Sequence, residues 1–355
     1  MGQGSEALEE IPVVDLAELV HPEEKTRRRA ATTLHRAFAQ YGLVYLMSHG
    51  VDFALRDRLF DGFTRFTDRS VEEKQPLNRG DIWFQRGWTP ANTERAVKGG
   101  GQPDFKECYF AAPNALDRAC QLQYPEIYAE NVWPEGIEGF AEDYVAFGRQ
   151  LHEAGLSVLS GIAMALDLPS RSFERKLEGA AHVLRLLRYL PLDEASVKAG
   201  VLWGEEHTDF NLLTLLGGGR FYDPSGEPCA NPDPESGLFL TARGGERVRG
   251  VAPPGCIVAQ VGQALEILTG GELLATPHVI VAPRTPGYTR LSAAHFAHLH
   301  AHEVLLPLSR YRSDEALLRY RPPVLAGTYA MKTLVDIGLA PASALDGLGY
   351  RGPGE

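Results

Sequence analysis

Three features of the sequence predict a mainly β fold with flanking helices, either a sandwich or a barrel. Between Leu184 and Phe296, short apolar runs alternate with Gly/Pro turns, the pattern of a many-stranded core. Helical periodicity is gathered ahead of that stretch and behind it. The strand–helix alternation of a parallel Rossmann sheet is missing. No segment repeats at a period of about 20–50 residues, which excludes a solenoid.

The elements follow in chain order. Ile11–Leu16 reads as a short strand. Ala30, Ala31, Leu34, Ala37 and Phe38 mark one face of a helix from about Glu23 to Gln40. Gly42–Met47 is a buried-type strand stopped at His49-Gly50, and a second helix runs from Phe53 to Phe66. Residues 78–104 are loop-like, with Gly80, Gly87, Pro90, Gly99, Gly100, Gly101 and Pro103. A strand over Phe105–Phe110 precedes a long amphipathic helix from Glu138 to Leu166, which Pro169 ends. The expected core strands are Leu184–Leu190, Asn211–Leu216, Gly237–Thr241, Ile257–Val261, His278–Ala282 and Tyr288–Phe296. Short helices return at Glu315–Tyr320 and Thr328–Leu334. We expect one domain over 1–355: an N-terminal helix/strand region (1–110), a helical region (111–183), the core (184–305) and a helical tail (306–355).

Composition narrows the function. The 355 residues are 44% hydrophobic and 23% charged, an ordinary globular balance that can bury a large core. The net charge of −11 disfavours nucleic acid and anionic membrane surfaces as partners. Cys108, Cys120, Cys229 and Cys256 are too scattered for a disulfide framework and read as packing residues, so a reducing cytoplasm is expected. MGQGSEALEE at the start is polar and acidic, unlike a signal peptide, and Glu6 stands where N-myristoylation needs Ser or Thr. We read it as a frayed arm. No run of about 18 apolar residues predicts a membrane span. A small-molecule substrate and a monomer or weak homo-oligomer are the expected partners.

The chemistry gathers in two segments. In Gly204-Glu-Glu-His207-Thr-Asp209-Phe210, the His and Asp are two apart, so on a strand both face one side. Alone, the triplet reads first as a surface histidine beside a solvated aspartate, and only the second segment turns it toward a ligand pair. The second segment is His278-Val-Ile-Val-Ala-Pro283-Arg-Thr-Pro286-Gly287-Tyr-Thr-Arg290-Leu-Ser292. It reads as a β-hairpin folded about Thr285, with His278 opposite Ser292 and Ile280 opposite Arg290. A buried Arg and Ser then need a partner, and an anionic ligand reaching a metal would supply one. His207, Asp209 and His278 together make the two-histidine, one-carboxylate set that favours non-haem Fe(II) with open positions. Arg290 and Ser292 suit a distant carboxylate.

At this point the sequence resembles the isopenicillin N synthase-like branch of the Fe(II)/2-oxoglutarate-dependent oxygenases. Ile11-Pro-Val-Val-Asp-Leu16 resembles that family's opening strand, and Phe38–Val51 its "HGV" segment. Arg86-Gly-Trp88-Thr followed by Pro103-Asp104-Phe-Lys106-Glu107 resembles "RGY … DxKE". Leu184-Arg-Leu-Leu-Arg-Tyr189 resembles the strand whose Tyr meets the cosubstrate, and Gly262-Gln-Ala-Leu-Glu266-Ile-Leu-Thr-Gly270 resembles "GDxLExxTNG". The resemblance implies a double-stranded β-helix (jelly roll) core. It also implies Fe(II) on His207, Asp209 and His278, and 2-oxoglutarate on Arg290, Ser292 and Tyr189. O2 would be the second cosubstrate, with succinate and CO2 released as a substrate C–H bond is oxidised. Arg86 (toward an acidic group), Trp88, Phe210 and Phe296 are expected at the substrate. A 2-oxoglutarate-independent Fe(II) oxidase or cyclase, and a non-catalytic binding protein on the same fold, are the other readings.

Departures from the family pattern add further expectations. His278 follows Asp209 by 69 positions (278 − 209), a long interval with its excess within 217–255. That stretch reads either as a solvated loop or as an extended hairpin at the pocket mouth. Gln263 stands where members carry Asp, and Leu187 where some carry Asn. Lys106 and Glu107 are expected to pair. His298, His300 and His302 are expected as a half-exposed strand end rather than a metal site, and His295 has no explanation in the sequence.

Overall fold

The structure, a computed structural model, describes residues 8–93 and 105–349. Its strands in chain order are β1 (Val13–Asp15), β2 (Leu43–Met47), β3 (Gly87–Thr89), β4 (Lys106–Ala111), β5 (Val183–Tyr189), β6 (Gly204–His207), β7 (Leu213–Tyr222), β8 (Pro228–Cys229), β9 (Gly237–Thr241), β10 (Arg247–Arg249), β11 (Ile257–Val261), β12 (His278–Val281), β13 (Thr289–Ala297), β14 (Val304–Leu305) and β15 (Val324–Leu325). The major sheet runs β1-β2-β11-β7-β13-β5-β4-β3, with β8 folded onto β7, and the minor sheet runs β10-β9-β12-β6. This two-sheet arrangement is the predicted jelly roll. The N-terminal strands extend the core sheet at both ends.

Helices cover the outer face of the major sheet. Phe140–Ala165 runs behind it, and Glu24–Gln40 and Phe53–Thr67 pack on that helix. Its apolar stripe includes Tyr144, Phe147, Leu151, Val158, Leu159 and Ile162, all at most 1% exposed. Each such side chain contributes about 1.5–3 kcal/mol by burial. Small residues set the spacing: a Cβ on Gly217 of β7 would sit 2.6 Å from the Phe147 ring. Among the described residues, no helix is long and apolar enough to cross a membrane.

Three sequence expectations are corrected. β12 and β13 do not form a hairpin. β12 pairs with β6 and β9, and β13 with β5 and β7, so the two lie in opposite sheets. The reason lies in the connection 282–288, which is long enough to cross between the sheets and too proline-rich to pair. The buried Asp233 carboxylate accepts the Arg284 amide (2.9 Å), and the Leu192 carbonyl accepts the Gly287 amide (3.0 Å), fixing that crossing. The long interval 217–255 is not a solvated loop. It extends β7, adds β8, and supplies the β9–β10 hairpin that forms half of the minor sheet.

The Lys106–Glu107 pairing also fails, because neighbours on a strand face opposite ways. Glu107 accepts from Lys74 Nζ (3.0 Å) and Trp88 Nε1 (2.8 Å) on the helix side. Pro103 and Asp104 of the resembling segment lie outside the described residues.

Candidate active site

The inner faces of the two sheets oppose each other, and the site lies between them. His207 ends β6 and His278 begins β12, directly paired across the strands with ring centroids 4.3 Å apart. Asp209 sits two residues beyond β6, where the chain has left the strand. Its Oδ1 is 3.7 Å from His207 Nε2 and 3.9 Å from His278 Nε2. The three ligand atoms all lie within 4.8 Å of one another.

Neighbours set the orientation of each ligand. His207 Nδ1 donates to the Glu205 carbonyl (2.8 Å), which turns the Nε2 lone pair toward Asp209. His278 Nδ1 lies 3.2 Å from the Thr276 carbonyl and 2.7 Å from the Gln260 amide. Burial, with His207 adding to it, pushes His278 down to about 4, so the ring is neutral and can ligate. Asp209 Oδ2 accepts from the Thr214 hydroxyl (2.6 Å), leaving Oδ1 inward. The His278 and Asp209 side chains are 8% and 9% exposed, whereas His207 is 49% exposed and marks the open side. Two imidazole nitrogens and a carboxylate, with one side open, fit Fe(II).

Gln263 has a clear place here. Its amide donates to the Asp209 carbonyl (2.7 Å) and its side-chain NH2 to Thr208 Oγ1, while its carbonyl oxygen accepts from Tyr329. It thereby ties the ligand loop to the helix Ala326–Asp336.

The inner face of the major sheet carries the other predicted residues. Tyr189 of β5 pairs with Arg290 of β13, and Leu187 with Ser292. Arg290 lies over the rings of Tyr189 (5.5 Å) and Phe221 (5.8 Å), and Trp203 stacks on Tyr189 at 5.3 Å. Among the described residues, no carboxylate or carbonyl meets the Arg290 guanidinium, although burial pulls its pKa down. A desolvated cation of this kind awaits an anion.

The run Gly217-Gly-Gly219 makes this possible. Gly217 and Gly218 stand against Ala293 alone, where the register breaks between Ser292 and Ala294. Gly218 takes φ +85°, a bulge that favours glycine. A Cβ on Gly219 would lie 3.0 Å from Arg290 Nε. Gly219→Val is therefore expected to weaken 2-oxoglutarate binding while leaving metal content unchanged, as read by cosubstrate titration and metal analysis.

The four expected substrate residues divide. Phe210 lies tilted against the His298 ring, centroids 5.3 Å apart, and lines a small cavity of about 50 Å³ with Asn211 and Tyr329. Phe296 lies on the inner wall among Leu187, Ala294 and Ile280. Arg86 and Trp88 spend their polar groups on the protein itself. Arg86 is fully buried and donates to the carbonyls of Ala129, Gln85 and Ile127, with burial pushing it down to about 10. Trp88 is spent on Glu107 and lies under Lys74 Nζ at 4.8 Å.

Sequence reasoning missed Arg185. It shares the inner face with Leu187 and Tyr189, 3.2 Å from Cys108 Sγ and 4.8 Å over Phe110. Its two-residue spacing from Leu187 was the available signal. His295 is buried against His152, Nε2 to Nδ1 at 3.2 Å, on the helix side.

Fold and site together define a non-haem Fe(II)/2-oxoglutarate dioxygenase. Two family models match the chain: "non-haem dioxygenase in morphine synthesis N-terminal" over residues 11–136 and "2OG-Fe(II) oxygenase superfamily" over 182–299. The chain belongs to the 2OG-Fe(II) oxygenase superfamily, whose members use Fe(II), 2-oxoglutarate and O2. It is 24% identical to a 2-oxoglutarate-Fe(II) type oxidoreductase of Aspergillus fumigatus, covering 88% of each chain. It is 26% identical to the 2-oxoglutarate-dependent dioxygenase frbA of a Dothideomycetidae species, covering 91% of this chain and 98% of that one. Among solved structures, a 2OG-Fe(II) oxygenase family protein from Caulobacter crescentus is 29% identical with TM-score 0.74, covering 92% and 99%. A Neurospora crassa protein solved in complex with alpha-KG and thymine matches in fold with TM-score 0.74 at 19% identity, covering 92% and 96%.

Proposed function

We propose that this enzyme oxidises a C–H bond of a small organic molecule, an amino acid or a specialised metabolite, held on the open side of the metal site. His207, Asp209 and His278 would hold Fe(II), and Arg290 with Ser292 and Tyr189 would hold the far carboxylate of 2-oxoglutarate. When bound, the iron and cosubstrate supply the oxidising chemistry, with release of succinate and CO2. The protein's part is positional. It keeps the His278 imidazole neutral, aims one carboxylate oxygen inward, and provides apolar walls that exclude water. Phe210 and Phe296 would shape the substrate chamber. The dioxygenase relatives, which include leucoanthocyanidin dioxygenases and a homoarginine-6-hydroxylase, support small-molecule chemistry.

The observation that carries this reading is the half-buried Arg290 guanidinium, which meets no anionic partner among the described residues and lies on the wall facing the ligand set. The test is to load enzyme anaerobically with Fe(II), 2-oxoglutarate and candidate substrates, admit O2, and score succinate against product. Substrate turnover without succinate would transfer the enzyme to the 2-oxoglutarate-independent oxidases.

Arg290→Ala is expected to raise the KM for 2-oxoglutarate about 100-fold, the cost of a charge-assisted two-pronged contact. Saturation at wild-type 2-oxoglutarate would remove the clamp from the reading. Phe210→Ala is expected to raise the substrate KM several-fold and leave the 2-oxoglutarate KM unchanged, as read by steady-state kinetics with each varied in turn.

A further inference from the structure

A second cluster of ligating side chains lies outside this site, in a part of the histidine-rich segment that the oxygenase chemistry does not use. The three histidines separate: His298 turns toward Phe210, while His300 and His302 occupy the turn beyond β13. There they meet Cys120 and Asp117 from the short helical turn Arg118–Leu122 and its cap. His300 Nε2 is 3.4 Å from Cys120 Sγ and 3.1 Å from Asp117 Oδ2, and Sγ is 3.9 Å from that same oxygen. The ligating atoms of Cys120, His300 and His302 all lie within 4.8 Å of one another. We propose that Cys120, His300, His302 and Asp117 form a structural Zn²⁺ site, distinct from the iron site.

Geometry and donor chemistry agree. Zinc bound tetrahedrally by sulfur at ~2.3 Å and by nitrogen or oxygen at ~2.0–2.1 Å separates its ligand atoms by about 3.3–3.6 Å. The observed 3.1, 3.4 and 3.9 Å bracket those edges. Thiolate, imidazole and carboxylate form a mixed set that suits zinc rather than calcium or magnesium. Without a metal the same atoms share protons: His300 Nδ1 accepts the His302 amide (3.3 Å), Nε2–H donates to Asp117 Oδ2 (3.1 Å), and the Cys120 thiol points at that same oxygen (3.9 Å), so a cation would replace the protons they share.

Binding has a cost. The His302 amide, 3.3 Å from His300 Nδ1, loses that acceptor when the ring proton moves to Nδ1.

A nucleophilic Cys–His–Asp arrangement does not fit. In such a triad the thiol and the acid occupy opposite ring nitrogens, whereas here both contact Nε2. Cys120 is also fully buried, and burial raises its thiol pKa.

Four protein ligands would close the zinc shell, which makes the role structural. The site would tie the turn leaving β13 to the segment around Arg118–Leu122. Both already pack on the helix Ala326–Asp336, through Ala301, Tyr124 and Met331.

The full-length protein is stripped with chelator and reloaded anaerobically with Co²⁺. Two equivalents are expected, one of them with the intense visible bands and near-ultraviolet thiolate charge transfer of tetrahedral cobalt. Asp209→Ala should keep those bands and lose the other equivalent. Cys120→Ser should lose the bands and keep the equivalent at His207, Asp209 and His278. Wild-type protein without thiolate bands, or Cys120→Ser that retains them, overturns the proposal. If Cys120→Ser does not fold, the exposed His302→Ala variant decides. The proposal stands if its bands weaken and shift, and falls if they match wild type. Because Asp209→Ala separates the two metals, failure here leaves the oxygenase reading intact.

Discussion

Replacing Asp209 with Ala will abolish iron retention and reduce succinate release to background. Asp209 is the only carboxylate of the three-ligand set and contributes its one anionic charge. Substituting a neighbour that only orients a ligand already costs about 10–100-fold in metal affinity. Loss of the ligand itself should exceed about 100-fold, and a chain with two histidines alone should not hold iron through purification. Thr214→Val gives the graded comparison. It removes the hydroxyl that Asp209 Oδ2 accepts at 2.6 Å and frees the carboxylate to rotate. Its iron affinity should fall by about 10–100-fold, with turnover restored at high iron. Metal analysis after gel filtration, paired with succinate assays over an iron titration, reads both effects. An Asp209→Ala enzyme with wild-type iron content would remove this residue from the metal site.

The second large effect is loss of stability in mild acid. His152 from the helix Phe140–Ala165, His182 ahead of β5 and His295 of β13 pack ring against ring, His152 to His182 at 4.4 Å. Burial pushes His152 from 6.5 down to about 4, and holds His182 and His295 well below their ordinary value. The unfolded chain takes up protons near pH 6.5 and the folded chain resists until near 4, so the unfolded state binds more protons in between. Stability is therefore full above about pH 6.5 and falls as the pH drops toward 4. The shift at His152 alone corresponds to about 3 kcal/mol. Thermal melts from pH 7.5 to 4.5 should show a steep decline, and His295→Gln should flatten part of it. A melting temperature independent of pH across that window would contradict the burial argument.

Much of this was legible in local pattern. The helix Glu24–Gln40 and the strands Gly237–Thr241 and Ile257–Val261 follow from apolar spacing and turn residues, because burial there involves one face and its immediate partner. The metal ligands were legible because their residue types and their order along the chain are distinctive. Pairing was not. Whether His278–Val281 meets Thr289–Ala297 as a hairpin or across the core depends on how far the 282–288 connection reaches, and periodicity carries no such information. Arg86 and Trp88 illustrate a related limit. An aromatic and a cation in a Gly-rich loop suggest a ligand contact, yet buried carbonyls and a buried carboxylate claim both. Cys120 and His300 lie 180 positions apart and 3.4 Å from each other, so no sequence window could pair them.

The way the major sheet ends bears on self-association. Its outermost strands, β1 and β3, are three residues each, so neither rim offers a long row of open backbone groups to another chain. Without the first 112 residues the rims would be β11, buried at every position, and the seven-residue β5. Such long, apolar, unpaired borders template intermolecular pairing. A fragment carrying only the catalytic half should therefore be lost to aggregation, whatever the integrity of its metal ligands.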